Sequence, residues 1–417
     1  MALALMIGVY TLIGTALLPI AVLVALCSRR GRAFFLERIG FWKASKHPVI
    51  LIHGASLGEI QGLLPLAKDL KSKYPDYEIV MSCTSNTGRE AAEKAGFTAR
   101  ILPFDIYWLY IISFAELNLR VCITSETEIW PGLIGWLKFN RVPWIIVNGR
   151  ISDQSWDEYT VLSPVLRPFI ATALVVGVAD DASFRRFNAL GVPFEHLKKT
   201  GNTKYDFVVP HLTENEKASL RKELVGDVSK IVVLGSLRPG EELIWNPVIR
   251  NILNSHKDVG FILAPRHPEK FIFFAESMID ADIAFTRRSE GRCDKVLLLD
   301  SLGELSKVYS ISDVAFIGGS LAPFGGHNPL EAMVQGCALM MGPSTYVVTE
   351  IVEHLKGVEA LLSISNAEEC EKALRELLDD PEKLSGFKER ARTASVKFQG
   401  ATERTIDMIS PILKERK

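Results

Sequence analysis

"PVILIHGASLGEIQGLLPLAKDLKSKYPDYEIVMSC", residues 48–83, decides the fold. It opens on a continuous apolar run and turns through Gly54–Gly58. Apolar residues at helical spacing follow, and a second β-rich run closes the stretch. Two strands buried on both faces with a helix between them make a βαβ unit, the building block of a parallel sheet. The alternation continues through "ARILPF", "VCITSE", "PWIIVN" and "ALVVGVA". After a polar passage a second series runs "KIVVLGS", "VGFILAP", "IAFT", "KVLLLD", "VAFIGG" and "CALMMG". The two series predict an α/β protein of two doubly wound domains facing each other across a cleft.

The predicted divisions are an N-terminal segment 1–28, a first domain 29–207, a second domain 208–395 and a C-terminal helix 396–417. The boundary lies in "YDFVVPHLTENEKASL", residues 205–220. A length of 417 residues suits two cores. The 48% apolar and 23% charged fractions are those of a globular chain, and a net charge of −1 gives no sign of a nucleic-acid partner. Six cysteines without a C-x-x-C pair argue against a zinc knuckle or a disulfide framework.

"MALALMIGVYTLIGTALLPIAVLVALCS", residues 1–28, carries no charge. As a helix it is roughly 42 Å long, enough for a hydrocarbon core of about 30 Å. A secretory signal begins with basic residues, whereas here Arg29, Arg30, Arg32, Arg38, Lys43 and Lys46 follow the apolar run. Positive flanks stay inside, so the expectation is a single-pass anchor with the remaining chain in the cytoplasm. "SRRGRAFFLERIGFW", residues 28–42, interleaves Arg with aromatics. That suits either a helix against anionic headgroups or an amphipathic helix on the domain surface.

In open α/β sheets ligands bind at the carboxyl ends of strands. There is no Walker loop, dinucleotide fingerprint, nucleophile elbow or H-E-x-x-H. One Asp-x-Asp, Asp280 to Asp282, precedes a strand and faces the wrong edge for a metal at the ligand site. "FIGGSLAPFGGHNPLEA", residues 316–332, places Gly-Gly pairs before a helix start, with Asn328 as cap, Pro329 first in the helix and Glu331 three after the cap. Gly325 and Gly326 let backbone amides approach a phosphate, and Glu331 is a candidate for ribose hydroxyls. Arg266 in "LAPRHPEKF", Gly235 and Ser236 in "GSLRPGEE", and Gly303 and Glu304 in "DSLGELSKVY" follow other strands of this series. In the first domain Ser56 and Glu59 read as a capping box, and Glu59 is alternatively a carboxylate aimed at a substrate. Glu126, Glu128, Arg150 and Lys204 are further polar residues after strands or near the boundary.

"HGASLGE", "SETEIWPGLI", "NGRISDQSW", "TGNTKYD", "APRHPEKF" and "GGHNPLEA" occur in an order that resembles the membrane-anchored 3-deoxy-D-manno-octulosonic acid (Kdo) transferases of lipopolysaccharide synthesis. The resemblance runs to about residue 345. It implies a GT-B fold, an inverting mechanism without metal or cofactor, CMP-Kdo as donor and the lipid A precursor lipid IVA as acceptor at the inner membrane. Residue by residue, it makes Glu59 the general base and Glu126 and Lys204 stabilisers of the transition state. Pro265, Arg266, Leu302, Gly303, Glu304, Asn328, Pro329, Leu330 and Glu331 become contacts to CMP. Many members have Thr-His where this chain has Leu237-Arg238. Rival expectations are a GT-B-shaped nucleotide-sugar epimerase and a non-catalytic tethered binding protein.

Overall fold

A computed structural model describes residues 2–206, 209–291 and 295–414. The chain divides into two compact units, Met1–Phe207 with Phe398–Lys417, and Val208–Lys397. Phe207 and Val208, at the expected boundary, and Cys293 lie outside the described residues. The other five cysteines are free thiols, four of them buried.

The first unit holds β1 (Pro48–His53), β2 (Glu78–Cys83), β3 (Thr98–Ile101), β4 (Asn118–Ser125), β5 (Trp144–Gly149), β6 (Val175–Val178) and β7 (Leu197–Lys199). All pair in parallel, in the order β3-β2-β1-β4-β5-β6-β7. Because strand side chains alternate between faces, β1 feeds two cores. Val49 and Leu51 pack with Leu133 and Trp136, whereas Ile50 and Ile52 pack with Ile60, Leu63 and Leu66. The helix Ala401–Lys414 closes this second core with Ile406, Ile409 and Leu413. The three-residue β7 was not legible as a strand, since "LKK" carries one apolar residue.

The apolar segment forms one helix, Ala2–Cys27, long and apolar enough to cross a membrane, with mean hydropathy 2.3. Its start is held to the unit. Ile7 is buried against Gly135, and Trp108 Nε1 donates to Thr15 Oγ1 at 2.9 Å. Beyond that point Leu17, Ile20, Leu23 and Val24 are exposed. The stretch of residues 28–42 that follows is not one amphipathic helix. It is two short turns, Arg29–Arg32 and Phe35–Arg38, broken at Phe34 with φ of 58°. Glu37 holds the second turn down, accepting from Arg89 and from the Ile101 amide at 2.7 Å. Phe34 lies under the Arg89 guanidinium, and Trp42 donates to Ile101 O, so these two aromatics face protein.

The second unit holds β8 (Lys230–Leu237), β9 (Val259–Pro265), β10 (Thr286–Arg287), β11 (Val296–Leu298), β12 (Val314–Ile317), β13 (Ala338–Met341) and β14 (Leu361–Ser363). They form a parallel sheet in the order β10-β11-β9-β8-β12-β13-β14. The expected strand "IAFT" shrinks to the pair Thr286–Arg287, and β14 was not anticipated. Trp245, Phe261, Phe274 and Phe316 fill one core.

One carboxylate pins this unit's carboxyl edge together. Glu241 is fully buried just before the helix Glu242–Ser255. Its Oε2 accepts from Arg238 N at 2.9 Å and Gly319 N at 3.0 Å. Its Oε1 accepts from Ser320 N at 3.1 Å and Leu321 N at 3.0 Å. Burial raises its pKa, and the amide donors pull it back. Replacing Glu241 by Ala strands four buried amides at about 1–3 kcal/mol each before relaxation. A net loss above about 3 kcal/mol is expected, read as a fall of about 6–12 °C in the melting of this unit.

Candidate active site

In the first sheet, strands β2 and β3 lie to one side of β1 and β4 to the other. The loops leaving β1 and β4 therefore part in opposite directions, and ligands enter α/β folds at such a crevice. Glu59 follows β1, while Glu126 and Glu128 follow β4.

Glu59 is 7% exposed and caps its own helix, Leu57–Lys73. Its Oε1 accepts from Ser56 Oγ at 2.7 Å and Ser56 N at 3.2 Å, and its Oε2 accepts from Ala55 N at 3.0 Å. The reading that set capping against catalysis, with Ser56 left to cap alone, is thus corrected: both side chains cap. A carboxylate oxygen has two lone pairs, and Oε2 has one protein donor. The cap leaves a position on Oε2 for one further hydrogen bond.

Lys204 pairs with Glu126 through Nζ and Oε1. Glu126 sits at φ 57°, which turns the chain as it leaves β4. The lysine reaches this place across Gly62, one turn along the helix from Glu59. A Cβ built on Gly62 falls 2.2 Å from Lys204 Cγ. Thr203 fixes the approach, donating to Gly62 O at 2.6 Å, while Asn148 bonds Thr203 through both its amide atoms. Sequence reading missed Gly62 and Asn148. A glycine inside an apolar-periodic helix is the signal that could have found the first.

Glu128 stands closest to titration at neutral pH. Burial first, then the charge of Glu59, and more weakly Glu126, push its carboxyl up to about 7. Behind these acids His53 is fully buried, its Nδ1 at 2.9 Å from Ser82 Oγ, and burial lowers its imidazole to about 4. Arg150 is exposed, and it is its carbonyl that engages the loop, through Thr127 Oγ1.

In the second unit the order β11-β9-β8-β12 sets side by side the four turns singled out in the sequence. Pro265 ends β9 and is buried, and Arg266 beyond it is exposed. Leu302 and Gly303 are exposed, whereas the Glu304 carboxylate is taken by Arg288 and Ser301. The expected cap is shifted by one residue: the helix begins at Leu330 with Pro329 as its N-cap and no side-chain cap bond, while Asn328 Oδ1 accepts from Leu330 N at 3.0 Å beside a buried Pro329 and Leu330. Burial raises the Glu331 carboxyl against the pull of nearby Arg266.

The glycine cradle needs correction. The amides of Gly319, Ser320 and Leu321 point at Glu241, Gly325 N donates to Ser344 Oγ, Gly326 N to Gly319 O and His327 N to Gly318 O. Gly235 lies inside the strand ladder, paired with Ala264 and Ile317. These glycines shape the loop, with Gly325 and Gly326 both at positive φ, and their N–H groups serve the protein itself. Glu241, quoted within "GSLRPGEE" but read past, is the acid that takes the place assigned to a phosphate.

The raised Glu128 has a thermodynamic sign. Between about pH 4.5 and 7 the folded unit holds a proton that the unfolded chain has released. Its stabilising effect is complete below about 4.5 and lost as pH rises through 7. Glu128→Gln should therefore melt above the parent at pH 8, with the gap closing toward pH 5 in thermal scans.

The profile of the family described as 3-Deoxy-D-manno-octulosonic-acid transferase (kdotransferase) matches residues 34–207, and that of Glycosyl transferases group 1 matches residues 289–394. A 3-deoxy-D-manno-octulosonic acid transferase of Haemophilus influenzae is 33% identical over 408 residues, covering 94% of each chain. One from Chlamydia trachomatis is 28% identical, covering 87% of this chain and 85% of its own. Among solved structures, UDP-GlcNAc 2-epimerase from Neisseria meningitidis aligns over 87% of this chain and 100% of its own, with a TM-score of 0.62 at 10% identity, a likeness of fold alone. That likeness supports the GT-B architecture and leaves the epimerase reading without sequence support. Near-complete coverage at one-third identity, over motifs that lie at both sheet edges, makes this chain a member of the 3-deoxy-D-manno-octulosonic acid transferase family.

Proposed function

We propose that this Kdo transferase moves Kdo from CMP-Kdo to a glucosamine hydroxyl of lipid IVA at the cytoplasmic face of the inner membrane, with inversion at the anomeric carbon. The observation that carries the reading is the grouping of Glu59, Glu126 and Lys204 at the crevice of the first sheet. An apolar N-terminal helix suits a lipid acceptor.

The chemistry assigns each group a task. A sugar hydroxyl is a weak nucleophile, so a base must take its proton as the new bond forms. Glu59 Oε2 is the proposed base. The hydroxyl oxygen bonds to the anomeric carbon, the bond from that carbon to the phosphate oxygen breaks, and CMP leaves with the electron pair. Lys204, steadied by Glu126, supplies positive charge where the donor's carboxylate and leaving phosphate concentrate negative charge. Arg266 and Glu331 are assigned to the nucleotide, Arg266 to its phosphate through a guanidinium fork.

The overall reaction is tested by mass spectrometry of lipid IVA after incubation with CMP-Kdo. The expected result is a Kdo mass increment together with released CMP. Loss of CMP-Kdo without acceptor, and no increment with it, would overturn the transfer. Glu59→Gln keeps an oxygen for Ser56 but turns an NH2 toward the Ala55 amide and cannot accept a proton, so turnover should fall about 10²-fold or more, beyond what the modest fall in melting temperature from that one lost bond accounts for. Gly62→Ala should displace Lys204 and lower kcat at least tenfold with the fold retained by circular dichroism.

A further inference from the structure

The second sheet has its own reversal of strand order, at β8 with β9 on one side and β12 on the other. Arg238 is the first residue beyond β8, at this crevice. A bulge at Ser236, φ 57°, breaks the register between Gly235 and Leu237 and re-aims the chain there. Glu241 holds the Arg238 amide, and the guanidinium lies over the Phe324 ring at 4.3 Å from its centroid. Its Nε is enclosed without a hydrogen-bond partner among the described residues, as is Nε2 of His327 in the adjoining loop. Arg266, just past β9, donates its amide to Leu237 O at 3.0 Å, and its charge acts on the same imidazole. Burial first, then Arg266, Arg238 and His267, lower His327 to about 4, so the ring is neutral between its cationic neighbours.

An anion at this edge finds the loop amides already committed to Glu241, Ser344 and the β12 loop's own carbonyls. The arginine side chains at this edge can meet its charge. The carboxylates around the edge have other partners: Glu241 is spent on amides, Glu242 on the Gly240 amide, Asp300 on Ser289, Glu304 on Arg288, and Glu331 stands by Arg266. Arg238 has no carboxylate partner among the described residues, and stacking on Phe324 fixes its plane. We infer that Arg238 is a phosphate-binding residue of the donor site, its guanidinium directed with Arg266 at the phosphate of a cytidine monophosphate group. This rests on the CMP-Kdo reading above and adds to it a second fork for the departing charge. A permanent cation here keeps that charge at every cytoplasmic pH, which an imidazole does not.

The test is calorimetric binding of CMP, with cytidine as the phosphate-free probe, to the full chain in detergent. Arg238→Gln should weaken CMP tenfold or more and leave cytidine unchanged. Arg238→Lys, which keeps charge but loses the fork, should fall between. In Arg238→His the deficit against the parent should shrink as pH falls through about 6.5. CMP bound equally by parent and Arg238→Gln overturns the assignment and leaves the donor reading standing. Equal losses for CMP and cytidine overturn it as a packing effect. A parent that binds no CMP overturns both.

Discussion

A parallel sheet delivers every strand's carboxyl end to one edge, and reversing the strand order opens that edge at one place. Both units obey this constraint, at β1/β4 in the first and at β8 in the second. Both groups of candidate site residues hang from it. Glu59, Glu126 and Glu128 leave the two strands flanking the first reversal, and Arg238 and the loop to His327 leave two strands at the second. These candidate residues are far apart in sequence because the strands that present them are separated by whole helices.

That constraint also explains what was legible. Continuous apolar runs such as "PVILIH" and "VGFILAP" announce strands buried on both faces, and the turns after them announce the edge. The capping box at Ser56–Glu59 was equally plain, and it is present. Short edge strands such as Leu197–Lys199 carry too few apolar residues to stand out. Side-chain traffic across long distances was invisible: nothing in "GEE" says that its first acid will span to residues 319–321, and nothing in "LGEIQGLL" says that Gly62 makes way for a lysine 142 positions later.

The two edges solve the handling of charge in different ways. The first gathers acids around one lysine, and burial, then the charge of Glu59, keeps Glu128 protonated into the neutral range. The second uses a buried acid to absorb its own loop amides and leaves arginines beside a neutral imidazole. Glycine-rich loops beside helix starts are read as anion cradles because their amides are free. Here the protein has filled the cradle from within, and the loop gains rigidity in place of donors.

The helix Ala401–Lys414 carries an implication for how the chain is made. Ile406, Ile409 and Leu413 belong to the core that includes Ile50, Ile60 and Leu66, so the first unit to leave the ribosome cannot seal its interior until residues near 414 are synthesised. The second unit, continuous from Val208 to Lys397, has no such wait. Birth order and completion order are therefore opposite, and during that interval the first unit holds an open apolar seam beside the newly made apolar helix Ala2–Cys27.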